Sequence, residues 1–278
     1  MVLASGQGSP SSIAVDCTSV YWTNSGSGFV MKVPRGGGTP VTLALGVSPG
    51  SIAVDATRVY FGDVDDVLAV PLDGGAPVTL ASRQQGPEGI VANATSLYWV
   101  NNGALMTMPL EGGGVGGRWT ALATWKDPNL GAAIALDATN VYWSQGGTGT
   151  VMKMPVGGGA PTTLATRQGE PGGIAVNASS VYWLNLNIGG TLVKAPLGGG
   201  APRTLASRQW DVEGIAAGAG GVYWASKNGD VMKSGLGGGR PETLAVGKGR
   251  SGAIAVDATS VYWTTDDTDG TVMKVTPN

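Results

Sequence analysis

Apolar residues in this chain fall in short runs of three to five, each stopped by glycine, proline, asparagine or a Ser/Thr/Asp cluster. No stretch sustains a 3.6-residue apolar period, so short strands are predicted throughout and helices nowhere. The runs come in a fixed order. Ser12-Ile13-Ala14-Val15-Asp16 is followed by Val20-Tyr21-Trp22, then Val30-Met31-Lys32-Val33-Pro34, a glycine cluster, and Val41-Thr42-Leu43-Ala44. The aromatic pair returns at Tyr60-Phe61, Tyr98-Trp99, Tyr142-Trp143, Tyr182-Trp183, Tyr223-Trp224 and Tyr262-Trp263, giving seven copies 38 to 44 residues apart. Four strands of about five residues with loops of about two to six account for such a spacing.

The two ends carry the decisive detail. The seventh copy stops after its third strand, at Met273-Lys274-Val275, and the chain opens with Val2-Leu3-Ala4-Ser5-Gly6-Gln7, which matches Leu80-Ala81-Ser82-Arg83-Gln84. An open solenoid needs atypical capping repeats, whereas a closed ring of four-stranded blades does not. The expectation is an all-β, seven-bladed β-propeller over residues 1–278, with residues 1–10 supplying the outer strand of the last blade. Inner strands covered on both faces explain the wholly apolar Ile-Ala-Val runs. The tryptophan of the second strand is expected to fill the gap between blades. Lys32, Lys153, Lys194, Lys233 and Lys274 are expected to lay their stems on apolar surface and reach water.

Composition narrows the chemistry. The 48 glycines have no collagen period and fall in clusters such as Gly157-Gly158-Gly159, which are turn signals. Seventeen Lys and Arg against 19 Asp and Glu, with no basic run, exclude the footprint of a nucleic-acid binder. No apolar stretch approaches the roughly 18 residues of a membrane span. Histidine is absent, which removes every Ser-His, Cys-His and His-metal constellation, and the one cysteine, Cys17, stands where other copies have alanine. Asp16, Asp55, Asp137 and Asp257, replaced by Asn93 and Asn177 in two copies, read as turn builders.

The unit Ile254-Ala255-Val256-Asp257, Val261-Tyr262-Trp263-Thr264 and Gly270-Thr271-Val272-Met273-Lys274 resembles the YWTD-type propeller repeat of the lipoprotein-receptor family. Two departures stand out. That family has six blades, and its fourth motif position is aspartate, where this chain has Asn24, Asp63, Asn101, Gln145, Asn185, Ser226 and Thr265. The unit also looks like blades of NHL-like propellers and of seven-bladed bacterial lyases that open cyclic peptide antibiotics. What these resemblances imply is a fold; the histidine base of those lyases has no counterpart here.

The copies differ most in two connections, between second and third strands and between one blade and the next, which emerge on the same face of a propeller. That diversified face offers Arg83, Gln84 and Glu88; Trp125, Lys126 and Asp127; Arg167, Gln168 and Glu170; Arg208, Gln209, Trp210, Asp211 and Glu213; and Lys248 with Arg250. Trp125 and Trp210 lie outside the repeat and are either stacking surfaces or folded back onto neighbouring loops. Glu88 and Glu213 precede inner strands three blades apart, with salt bridges to Arg83 and Arg208 expected. Asp63-Val64-Asp65-Asp66 and Asp266-Asp267-Thr268-Asp269-Gly270 offer clustered carboxylates of the kind Ca²⁺ takes, without the distal glutamate of a full calcium loop. Otherwise no cofactor is expected.

The leading expectation is a monomeric, non-catalytic propeller that presents these loops to a protein, peptide or glycan. The alternatives are a carboxylate- or metal-assisted lyase or hydrolase at the channel mouth, through Glu88, Glu213 or Asp211, and a propeller without a specific ligand. Met1 runs into the closing strand without the charged and apolar segments of a signal peptide, while related architectures are often extracellular or periplasmic, so the compartment stays open.

Overall fold

The computed structural model describes residues 1–45, 48–110, 118–125, 133–187, 189–247, 249–266 and 269–277. They form seven four-stranded antiparallel sheets, arranged as the blades of a β-propeller. Among the described residues there is no helix, and none long and apolar enough to cross a membrane. The inner strands (Pro10–Val15, Ile52–Val54, Glu88–Ala92, Ile134–Leu136, Pro171–Val176, Val212–Gly218 and Arg250–Val256) contact one another in order, and the seventh meets the first. The seam is closed within blade 7, where Val2–Ala4 pairs antiparallel with Thr271–Val275.

The core is seven separate pieces, one per gap between blades. Tyrosine and tryptophan are adjacent on the second strand and therefore point to opposite faces of the sheet. Each gap then joins the tyrosine of one blade to the next blade's tryptophan: Tyr60 with Trp99, Tyr142 with Trp183, and Tyr262 with Trp22 across the seam. Blade 2 contributes Phe61 to the cluster with Tyr21. At roughly 25 cal/mol per Å² and about 150–250 Å² per ring, each such pair is worth several kcal/mol of burial. Nearer the axis the room is small: a Cβ on Gly89 would lie 2.7 Å from Ile134 Cγ2 of the next blade.

The face opposite the variable loops is built from two repeated devices. In the first, Asp16 Oδ1 accepts from the Thr18 and Ser19 amides at 2.7 Å, while Oδ2 accepts from the Tyr21 hydroxyl at 2.9 Å. Asp55, Asp137 and Asp257 hold Tyr60, Tyr142 and Tyr262 in the same way, at 2.6–2.7 Å. Where the aspartate is Asn177, the bond reverses and its amide donates to Tyr182. Burial pushes these carboxyls up, but the hydrogen bonds outweigh it, leaving all four aspartates below their ordinary value. Burial and the neighbouring carboxylate push Tyr21 and Tyr262 up to about 12.

The second device corrects the expectation for the third-strand lysines. The Nζ of Lys32 donates to Leu72 O at 2.5 Å, that of Lys153 to Leu197 O at 2.5 Å, that of Lys194 to Leu236 O at 2.8 Å, and that of Lys274 to Arg35 O at 2.9 Å. Each carbonyl belongs to the next blade, so these four lysines are inter-blade clasps, while Lys233 makes no such bond among the described residues. Blade 3 has Thr107 at this position, and Tyr98 Oη donates instead to Val156 O of blade 4 at 2.7 Å. At the seam an Arg35–Asp257 ion pair at 3.2 Å adds to the Lys274 bond.

Candidate functional site

The loops of the diversified face are held by one motif. In four gaps a glutamine stands fifteen residues before the next blade's tryptophan, and its Oε1 accepts from the indole Nε1: Gln7 from Trp22, Gln84 from Trp99, Gln168 from Trp183 and Gln209 from Trp224, at 3.0–3.1 Å. The glutamine Nε2 donates to the carbonyl two residues back, as Gln84 does to Ser82 O at 2.8 Å. Its backbone N–H bonds the preceding blade's loop, as Gln84 N does to Asp65 O at 2.6 Å. One residue thus ties two blades and fixes the loop between them. The turn required places Arg83, Arg167 and Arg208 at φ 59°, 57° and 61°, in the left-handed region that L residues seldom occupy.

Gln84 and Gln168, proposed from sequence as ligand contacts, are therefore committed to tryptophans, and Gln84 is buried at 1% exposure. Arg83, Arg167 and Arg208 are exposed beside them. Trp125 folds back: it is half-buried against the core shared by Tyr98 and Trp143. Trp210 does not, and stands 56% exposed. Lys126, Asp127, Lys248 and Asp267 lie outside the described residues.

The expected salt bridges do not form. Glu213 Oε1 accepts instead from Arg250 of the next blade, at 2.6 Å from Nη2 and 3.1 Å from Nε, with Lys227 Nζ 3.7 Å away. Arg208 is drawn into the Trp210 cleft, and neither Arg83 nor Glu88 has an ion pair among the described residues. The Glu213 bond holds the Arg250 guanidinium further above its ordinary value. Lys227 also lies 3.9 Å from Asp211, so Asp211, Lys227, Glu213 and Arg250 form a charged cluster on blades 6 and 7, across the ring from Glu88.

Among the described residues no three acidic or cysteine side chains converge to hold a metal ion. In the first acidic loop, Asp63 Oδ1 accepts from the Ser48 and Val64 amides, and Asp66 Oδ1 from that of Arg83. These carboxylates order the loop.

Beside Trp210 the surface opens into a cleft of about 420 Å³, lined by Arg208, Asp211, Asn228, Asp230, Ser226 and Met232 over the Gln209–Trp224 lock. It is the feature of this face that sequence reasoning assembled only in part: Trp210, Arg208 and Asp211 were legible as candidates, Asn228 and Asp230 were not.

No protein-family model matches the sequence, and no curated protein is significantly similar to it. Solved structures share the fold. Virginiamycin B lyase from Staphylococcus aureus has a TM-score of 0.80 at 13% identity, over 98% of this chain and 96% of the lyase. A catalytically inactive histidine-to-alanine form of that lyase has been solved with quinupristin. The WD40 propeller domain of Doa1 has a TM-score of 0.79 at 12% identity, over 98% of this chain and 95% of that domain. A structure of the nidogen/laminin complex reaches 0.57 at 22% identity, over 68% of this chain and 76% of that one. At such identities the likeness is one of fold.

Proposed function

We propose that the protein is a non-catalytic binding propeller whose variable loops take a protein, peptide or glycan. The observation that carries this reading is the distribution of exposed large apolar side chains. Of the nine such side chains among the described residues, five (Leu45, Val64, Leu186, Trp210 and Val246) stand on loops of the diversified face, while Met1, Val2, Val41 and Trp119 lie on or beside outer strands. Water-exposed apolar groups gathered on rigid loops mark an interaction surface.

A second reading has one observation behind it, the similarity to virginiamycin B lyase together with the Asp211–Glu213 carboxylates near the channel mouth. The inactive form of that lyase lacks a histidine side chain, and this chain has no histidine at all. A carboxylate would have to act in its place, while Glu213 is engaged by Arg250 and Lys227. Arrays of proteins, peptides and glycans test the binding reading. Binding reduced by Leu186→Ala or Trp210→Ala, and unchanged by Cys17→Ser on the opposite face, is expected. Turnover of any cyclic peptide that is abolished by Glu213→Gln would favour the lyase reading instead.

A further inference from the structure

We infer that the cleft beside Trp210 is a saccharide site that takes a neutral sugar, with its apolar ring face on Trp210 and its hydroxyls on Asp230 and Asn228. The inference rests on the binding reading above and names the ligand class at one of its loops. Three observations lead to it.

The aromatic platform is held in place, not merely exposed. The backbone of the Trp210 loop is fixed on both sides, by Arg208 N to Gly189 O at 2.9 Å and Gln209 N to Gly190 O at 2.7 Å, and by Lys227 N to Asp211 O at 2.7 Å. Gln209 Oε1 is anchored to the buried Trp224 beneath. Exposing an indole on a loop this constrained gives contact area with little entropy left to lose on binding. The equivalent positions after Gln7, Gln84 and Gln168 are Gly8, Gln85 and Gly169, so the repeat does not require the tryptophan.

The polar wall is preorganised and has spare hydrogen-bonding capacity. Asn228 Nδ2 donates to Asp230 Oδ2 at 2.9 Å, and the Asp230 amide donates back to Asn228 Oδ1 at 3.2 Å. Asp230 Oδ1 accepts from Gly247 N at 3.3 Å. Each carboxylate oxygen keeps a free lone pair and the Asn228 amide keeps a second N–H, which suits adjacent hydroxyls that both donate and accept. The Gly229 backbone packs closely on the next connection, where an added Cβ would lie 2.3 Å from Gly249 O.

Charge and size select among ligands. The cleft lining sets the carboxylates of Asp211 and Asp230 against one cation, Arg208, with Glu213 beyond, so its balance is negative and disfavours a phosphate or an acidic sugar; Lys227 nearby is already shared by Asp211 and Glu213. An apolar peptide side chain would stack on Trp210 but leave the spare lone pairs of Asp230 and the second Asn228 N–H desolvated and unmet. A volume of about 420 Å³ lies within the range of small-molecule sites and accommodates one or two pyranose rings.

The test is titration of the full chain with glucose, galactose, mannose, N-acetylglucosamine and their neutral disaccharides, read by saturation-transfer NMR and by tryptophan fluorescence. The chain has nine tryptophans, of which Trp210 is the most exposed, so the part of any sugar-dependent emission change that disappears in Trp210→Ala reports the site. At least one sugar is expected to bind, with affinity falling about tenfold or more in Trp210→Ala and in Asp230→Asn, and unchanged in Trp119→Ala. Sugar binding that survives both cleft substitutions overturns the inference. So does a screen in which no sugar binds while a protein or peptide does, an outcome that leaves the binding reading standing. A screen in which nothing binds removes both.

Discussion

Replacing Gln84 by alanine is the sharpest probe of how the loops are held. Gln84 is 1% exposed and Trp99 0%, so the indole N–H loses its acceptor where no water replaces it. An unsatisfied buried donor costs about 1–3 kcal/mol, and the void left by the amide adds about 1 kcal/mol more. The expected loss is about 2–4 kcal/mol, read as a drop in urea midpoint at unchanged slope. Trp99→Phe removes the donor instead, and in the double variant the orphaned N–H no longer exists. The cycle should therefore return a coupling of about 1–2 kcal/mol between Gln84 and Trp99. Ser82→Ala, an exposed change on the same loop, should stay within about 0.5 kcal/mol. If Gln84→Ala matches Ser82→Ala, or the two effects simply add, the glutamine is not the clasp described.

Two further outcomes follow from the opposite face. Lys153→Met removes the donor to Leu197 O and should cost about 1–3 kcal/mol, whereas Lys233→Met, which breaks no hydrogen bond among the described residues, should be close to neutral by thermal denaturation. The Asp–Tyr pairs set the pH response. The aspartates titrate below their ordinary 3.8 when folded, so their contribution is complete above that value and is lost as pH falls through the folded pKa; Asp137→Asn should flatten the acid limb. Tyr21 and Tyr262 titrate higher when folded, so theirs is complete below about pH 10 and lost as pH rises through about 12, and near-UV absorbance should show late tyrosinate formation.

The ring was legible because a seven-fold repeat states its own period, and because Val2-Leu3-Ala4 carries the strand missing after Val275. Side-chain partners were less so. Pairing Glu213 with Arg208 relied on closeness within one loop, but the carboxylate is taken by Arg250, 37 residues on, which only the packing of blade 7 against blade 6 brings near. The lysines looked like surface residues because the carbonyls they meet belong to another repeat. The glutamine clasp was written in the chain all the same. Glutamine precedes Trp22, Trp99, Trp183 and Trp224 by fifteen residues, whereas that distance before Trp143, Trp263 and Phe61 holds Pro128, Lys248 and Gly46. Asn228 and Asp230 escaped notice because nothing in a short polar turn signals that a neighbouring loop will place an indole beside it.

In the four gaps that carry it, the glutamine–tryptophan pair sets a rule for transplanting segments between blades. The connections ending at Gln84, Gln168 and Gln209 should be interchangeable, since each arrives with the acceptor that its recipient indole requires. The segment around Gly46 is not a valid donor for those places, and its own blade cannot receive theirs to full benefit unless Phe61 becomes tryptophan as well. A grafted binding loop is therefore only half of the transferable unit; the other half is a ring fifteen residues downstream in the interior.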